Sequence, residues 1–168
     1  MVIASSPVEV VRFAGGWLFD RVMAGWDATV MTTGYADCRS LRILGSRTVD
    51  LETALATPDS GPGPQALAVD GRLYESDARV RRMVLDTLGT GSVDVWLWGE
   101  ESPAEVKGDA GSVQHRLSVA ARAFKAQALA AAAAPVDSID IAELFRSSGL
   151  SRTPTHSLGL TTSASQLV

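Results

Sequence analysis

The sequence predicts an α/β fold: a small three-layer domain with a short, mainly parallel sheet of about three strands covered by helices on both faces. Three observations lead there. Stretches with helical and strand periodicity alternate along the chain. The strand candidates at 28–33, 65–70 and 93–98 are short and apolar, as strands covered on both faces are. Glycine, proline or Asp-Gly dipeptides punctuate the stretches between them. Parallel strands joined through helices take right-handed crossovers, which supply the covering layers.

The first helix is announced by Ser6, Pro7 and Glu9. Ser6 is a cap, Pro7 suits the first helical position, and the S-x-x-E spacing is that of a capping box. From there Val10, Val11, Ala14, Leu18 and Val22 recur at helical spacing, Phe13 and Trp17 widen the stripe, and Gly25 is placed to end it. Gly15 and Gly16 fall inside this helix, where each costs about 1 kcal/mol relative to alanine, so a neighbouring element is expected to pack closely on that turn. The pair is not a phosphate loop. Such a loop follows a strand and opens a helix, whereas here the order is reversed, and neither G-x-G-x-x-G nor Gly-Lys-Ser/Thr follows the strand at 28–33.

Residues 35–45 read as a short helix with Asp37 as its cap and Gly45 as its stop, and 49–56 as another helical piece before the irregular connector 57–64. The run 65–70 reads as a buried strand closed by an Asp70-Gly71 turn. Ser76 is expected to cap a helix whose stripe is Val80, Met83, Val84 and Leu88, with Arg79, Arg81 and Arg82 largely off it and Gly89 at its end. Residues 93–98 alternate with period two, setting Trp96 and Trp98 on one face, where they are expected to pack beneath a helix. The alanine-rich stretch 112–134 is the longest helix signal, stopped by Pro135, and a shorter helix is expected at 139–147 after Asp137 and Ser138. One domain over 1–148 and a flexible Ser/Thr-rich tail over 149–168 follow.

Composition narrows the function classes. The chain has 168 residues, 46% of them apolar and 20% charged, with a formal net charge of -4, so it has the balance of a globular domain and no general attraction to nucleic acid or anionic membranes. The longest apolar stretch, 126–136, falls short of the roughly 20 residues that cross a bilayer. Residues 1–16 lack a basic leader and carry Glu9 and Arg12, which points to the cytoplasm. Cys38 is the one cysteine, so no internal disulfide can form, and it reads as a small buried filler. His115 and His156 share no metal-ligand spacing, and no cofactor motif is present, so neither metal nor cofactor is expected.

Open α/β sheets bind ligands outside the carboxyl ends of their strands, a rule that selects Thr32 and Thr33, Asp70, Trp98, Gly99, Glu100 and Glu101. Thr33, Asp70 and Glu100 are the candidate ligand-binding residues: the two carboxylates as an acid/base pair or cation holders, and the threonine as a hydroxyl donor. Asp before Gly is common turn chemistry, and adjacent glutamates are commonly solvated. His115 suggests a Ser/His/Asp triad only on paper, since no G-x-S-x-G elbow exposes a nucleophile.

The segment IAELFRSSGLSRTPTH, 141–156, resembles the helix-turn-helix of bacterial repressors, but Pro154 and Gly159 break its second helix and the net charge opposes DNA. Two lysines, Lys107 and Lys125, among 15 Lys and Arg give the chain a high-GC character, and LRILGSRTVDLETALA and HRLSVAARAFKAQALAAAA resemble stretches of uncharacterised conserved actinobacterial proteins. That resemblance implies no activity. The functional expectation is therefore a non-catalytic cytosolic module that binds a protein partner or self-associates, through a stripe of alanines, Val119, Phe124 and Leu129. The alternative is a small enzyme or ligand-binding domain at the strand ends. A DNA-binding regulator comes third, and Ser151, Thr153 and Thr155 beside Arg152 are candidate phosphorylation positions in the tail.

Overall fold

The computed structural model describes residues 1–33, 38–57, 63–99, 112–136 and 138–148. They form a seven-stranded sheet flanked by helices. In chain order the elements are β1 (Val2–Ala4), α1 (Pro7–Met23), β2 (Thr29–Thr32), α2 (Arg39–Ile43), β3 (Arg47–Asp50), α3 (Leu51–Ala56), β4 (Ala66–Asp70), α4 (Gly71–Ser76), α5 (Ala78–Gly89), β5 (Asp94–Trp98), β6 (Ser112–Arg116), α6 (Val119–Ala131) and β7 (Ala142–Ser148). The strand order is β3-β2-β1-β4-β5-β7-β6. β1 to β5 run parallel, and β7 pairs antiparallel with both β5 and β6.

Two buried clusters define the layers. Val2, Ala4, Val30, Ala68, Trp98 and Phe145 face α1, α2 and α6, while Ile3, Leu67, Val69, Val95 and Leu97 face α3, α4 and α5. Alternate residues of β1, β4 and β5 serve opposite clusters, so these strands are covered on both sides and read as unbroken apolar runs.

Seven strands replace the three read from the sequence, and each of the four additions has a physical reason. β1 has three residues, too few for a period. β3 lies on the sheet's edge, half-buried and polar, and runs without a break into α3, so 49–56 is a strand end followed by a helix. β6 alternates half-buried Val113 and His115 with exposed neighbours, a period masked by the alanines that follow; the helix expected over 112–134 is confined to Val119–Ala131 and capped by Ser118. β7 replaces the helix expected at 139–147 because its inward residues include Glu143 while Leu144 is exposed, an inversion of the usual pattern. That strand also removes the helix-turn-helix likeness over 142–148.

Other starts and stops are adjusted. Ser6 caps α1 as expected, accepting from Glu9 N at 3.3 Å, and Gly25 follows the helix at φ +88°. Asp70 caps a short helix rather than making a turn, and Asp77, not Ser76, caps α5. Asp37, Asp137 and residues 149–168 lie outside the described residues, as do most of the connector's. Among the described residues no helix is long and apolar enough to cross a membrane.

The glycine pair is explained by packing. A Cβ on Gly16 would meet Leu117 Cγ at 2.9 Å and its methyl groups closer still, and one on Gly15 would press on Leu44 Cδ1 at 3.3 Å. Gly16→Ala is therefore expected to cost about 1–3 kcal/mol by overpacking. Gly89→Ala, with no neighbour within 4 Å, is expected to be neutral or stabilising. Urea denaturation of the two variants measures the difference, and Leu117→Ala in the Gly16→Ala background is expected to recover part of the loss.

Candidate functional site

The strand order reverses direction between β1 and β4: β2 and β3 extend to one side of β1, and β5, β7 and β6 to the other side of β4. At such a switch point the loops leaving the two strands diverge and a crevice opens beyond their carboxyl ends. Ser5 leaves β1 there and Asp70 ends β4. Ser5 Oγ donates to Asp70 Oδ2 at 3.2 Å, and Thr33 Oγ1, just past β2, donates to Ser5 O. The other carboxylate oxygen of Asp70 accepts from Arg72 N at 3.1 Å. Thr33 and Asp70 are thus joined through Ser5, while Glu100 and Glu101 lie outside the described residues.

A cleft of about 360 Å³ opens beside Asp70, lined also by Glu9, Arg12 and Phe13 of α1, Arg72, Trp98 and Gly99, and by Lys125 and Glu143. Asp70 is 3% exposed and Trp98 2%. Acidic Glu9 and Asp70 and basic Arg12 and Arg72 therefore line one cavity, together with Asp140 and the Lys125 and Glu143 pair. Such a set is able to move a proton and to steady a developing negative charge. A carboxyl-terminal position was legible from the strand rule. The contribution of α1 was not, because it depends on how the helix packs against β1 and β7.

Beneath this cleft lies a buried ion pair. Lys125 Nζ stands 2.6 Å from Glu143 Oε1 and donates to Arg12 O at 2.6 Å. Glu143 accepts from Gly16 N at 2.9 Å and from Trp17 N at 2.7 Å. Burial pushes the Glu143 carboxyl above its ordinary range, outweighing Lys125 and the two backbone donors.

A larger groove of about 1390 Å³ opens at the opposite, amino ends of the strands, lined by Met1, Met31, Leu55, Met83 and Val93. Arg79 on its rim is already committed to Glu52 at 2.7 Å and Asp77 at 2.8 Å, and no buried carboxylate lines it. Of the two, the smaller cleft is the one with buried carboxylates, Asp70 and Glu143, on its wall.

The triad drawn from His115 dissolves into a latch. His115 lies on β6, not in a helix, and its Nε2 is 3.0 Å from Asp20 Oδ2, the oxygen that also accepts from Ser118 N at 3.2 Å. Ser118 Oγ accepts from Ala121 N as a cap. Trp96 and Trp98 do belong to the core, with Trp96 5.3 Å from Trp17 and 5.4 Å from Phe145 between ring centroids. The stripe proposed on α6 does not form one surface: Leu129 is buried, whereas Phe124 is 45% exposed and stacks on Phe19. Among the described residues no group of three His, Cys, Asp or Glu side chains is placed to hold a metal ion.

No protein-family model matches the chain, and no curated protein matches it. Solved structures do. A triple mutant of a deacetylase of the teicoplanin biosynthetic pathway aligns with TM-score 0.54 and 17% identity over 77% of this chain and 80% of that one. A deacetylase in complex with teicoplanin gives 0.52 and 15% over 87% and 97%. The A40926 pseudoaglycone deacetylase Dbv21 gives 0.50 and 15% over 77% and 80%. At these identities the likeness establishes a shared fold. It overturns the expectation of a non-catalytic interaction module, since the solved chains that share this fold are enzymes; the alternative, an enzyme or ligand-binding domain at the strand ends, fits it better.

Although burial alone would raise the Asp20 carboxyl, its bonds from Ser118 and His115 hold it below its ordinary value of 3.8. A depressed folded-state value contributes stability that is present above the unfolded value and lost as pH falls through the folded one. The stability gap between wild type and Asp20→Asn is accordingly expected to be largest at neutral pH and to close in acid. Urea midpoints measured from neutral pH down to about pH 3 check this.

Proposed function

We propose that this chain is a hydrolytic enzyme that releases an acyl group from a polar small molecule bound at the carboxyl ends of β1, β4 and β5. The observation that carries the reading is Asp70, 3% exposed at the switch point, lining one cleft with Glu9, Arg12 and Arg72. The fold shared with deacetylases supports the reaction class.

In this reading Asp70 accepts a proton from water, and the hydroxide oxygen attacks the carbonyl carbon of the acyl amide or ester. The carbonyl oxygen gains negative charge, which the Arg12 and Arg72 guanidinium groups on the cleft wall stabilise. The bond to the leaving amine or alcohol breaks, and the proton returns from a carboxyl group to the leaving heteroatom. Ser5 and the Arg72 amide hold the Asp70 carboxylate in place. Thr33 steadies Ser5.

Acetate release from N-acetyl-D-glucosamine and from p-nitrophenyl acetate tests the proposal. Asp70→Asn, which keeps an oxygen to cap Arg72 N, is expected to lower kcat by about 10²-fold or more, the size of a lost general base. Its urea midpoint is expected to stay close to wild type. Equal rates in the two proteins, or no acetate from either substrate with wild type, would overturn it.

A further inference from the structure

Buried charge is costly, and among the described residues the only buried charged side chains are Asp70, Lys125 and Glu143. Asp70 belongs to the chemistry just described. Lys125 and Glu143, 5% and 4% exposed, call for another account, because a buried ion pair is often replaceable by apolar residues of similar volume without loss of stability. What the pair holds is informative. Its partners are not side chains but three backbone groups of one turn of α1: Arg12 O, Gly16 N and Trp17 N.

Arg12 O and Gly16 N are the two ends of a single i to i−4 position in the helix. Lys125 reaches the first from α6 and Glu143 reaches the second from β7, so two separate elements grip the same turn from its side. Gly15 and Gly16 make that approach possible, since the Lys125 stem passes 3.7 Å from a Cβ built on Gly15 and Leu117 fills the space beside Gly16. Glu9, just before the gripped turn, and Arg12 and Phe13, at its start, line the cleft, and so do Lys125 and Glu143.

We infer that Lys125 and Glu143 are positioning residues: by clamping the backbone of α1 at Arg12–Trp17 they fix the height of Glu9 and Arg12 relative to Asp70. One residue of slip along a helix axis is about 1.5 Å, and a displacement of about 1 Å at a reacting group costs up to about 10²-fold in rate. Charge-assisted bonds to backbone groups are short and directional, which suits them to setting a register that apolar packing leaves soft. This inference rests on the hydrolytic reading for its consequence, but not for its geometry.

The test is the double variant Lys125→Met/Glu143→Leu, which removes both charges at similar volume and leaves no buried ion unpaired. Amide exchange is expected to quicken at least tenfold at Gly16 and Trp17, with α5 unchanged, while the urea midpoint stays near wild type. Acetate release is expected to fall in kcat/KM by about tenfold to a hundredfold. Glu143→Gln, which keeps one acceptor for the two amides, is expected to be intermediate and guards against misfolding of the double variant. Exchange that is unchanged at Gly16 and Trp17, or that quickens equally in α5, overturns the clamp whatever the activity. Wild-type protein that releases no acetate overturns the hydrolytic reading alone. Normal kcat/KM in a double variant with loosened α1 overturns the positioning role.

Discussion

Everything else in this fold follows from β1 and β4 being buried on both faces. Ile3 and Leu67 point into one cluster while Val2, Ala4 and Ala68 point into the other, so neither strand has a side that water reaches. Two helical layers are then obligatory, and right-handed crossovers dictate which connection covers which face. α1, α2 and α6 cover one face of the sheet, and α3, α4 and α5 cover the other. The reversal between β1 and β4 is the price of that arrangement. It leaves the crevice lined by Asp70 and Trp98, with Ser5 bonded to Asp70.

α1 ties this crevice to the rest of the molecule. Its first turn is ordered by the Ser6 cap and Pro7, its third is made narrow by Gly15 and Gly16, and its last carries Asp20 into the His115 and Ser118 latch. Each contact recruits a different element: Leu117 before α6, Lys125 within it, Glu143 on β7 and His115 on β6. The antiparallel pair β6 and β7 is thereby fastened to the same helix that lines the cleft. A buried carboxylate inside β7, facing inward where a leucine faces outward, is tolerable because a lysine and two backbone amides meet it there.

Legibility followed the local physics. The cap at Ser6, the stop at Gly25, the central strands β2, β4 and β5, and the amphipathic stripe of α5 are set by neighbours in sequence and were readable from it. So was the close approach at the glycine pair. What escaped was set by distant partners. β7 looked helical because its inward residue is Glu143, whose partners lie 18 and 126 to 127 residues away. β6 was absorbed into the alanine run, and β3 shares its last residues with the cap of α3. In the candidate site, the strand-end rule selected Asp70 and, beside it through Ser5, Thr33, whereas Glu9 and Arg12 had only the look of a helix's first turns. The surface drawn on α6 is divided for a similar reason: Leu129 is in the core, Phe124 stacks on Phe19 and Val119 faces outward.

The proposed function places the site in the small cleft at the switch point and not in the larger groove at the opposite end of the sheet. Titration of isotope-labelled protein with N-acetyl-D-glucosamine, followed by amide chemical shifts, separates the two most directly. Saturable shifts confined to Ser5, Ser6, Arg72 and Gly99 are the predicted result. Saturable shifts at Thr57, Gly63 and Ser92 instead, with the strand ends silent, would contradict it.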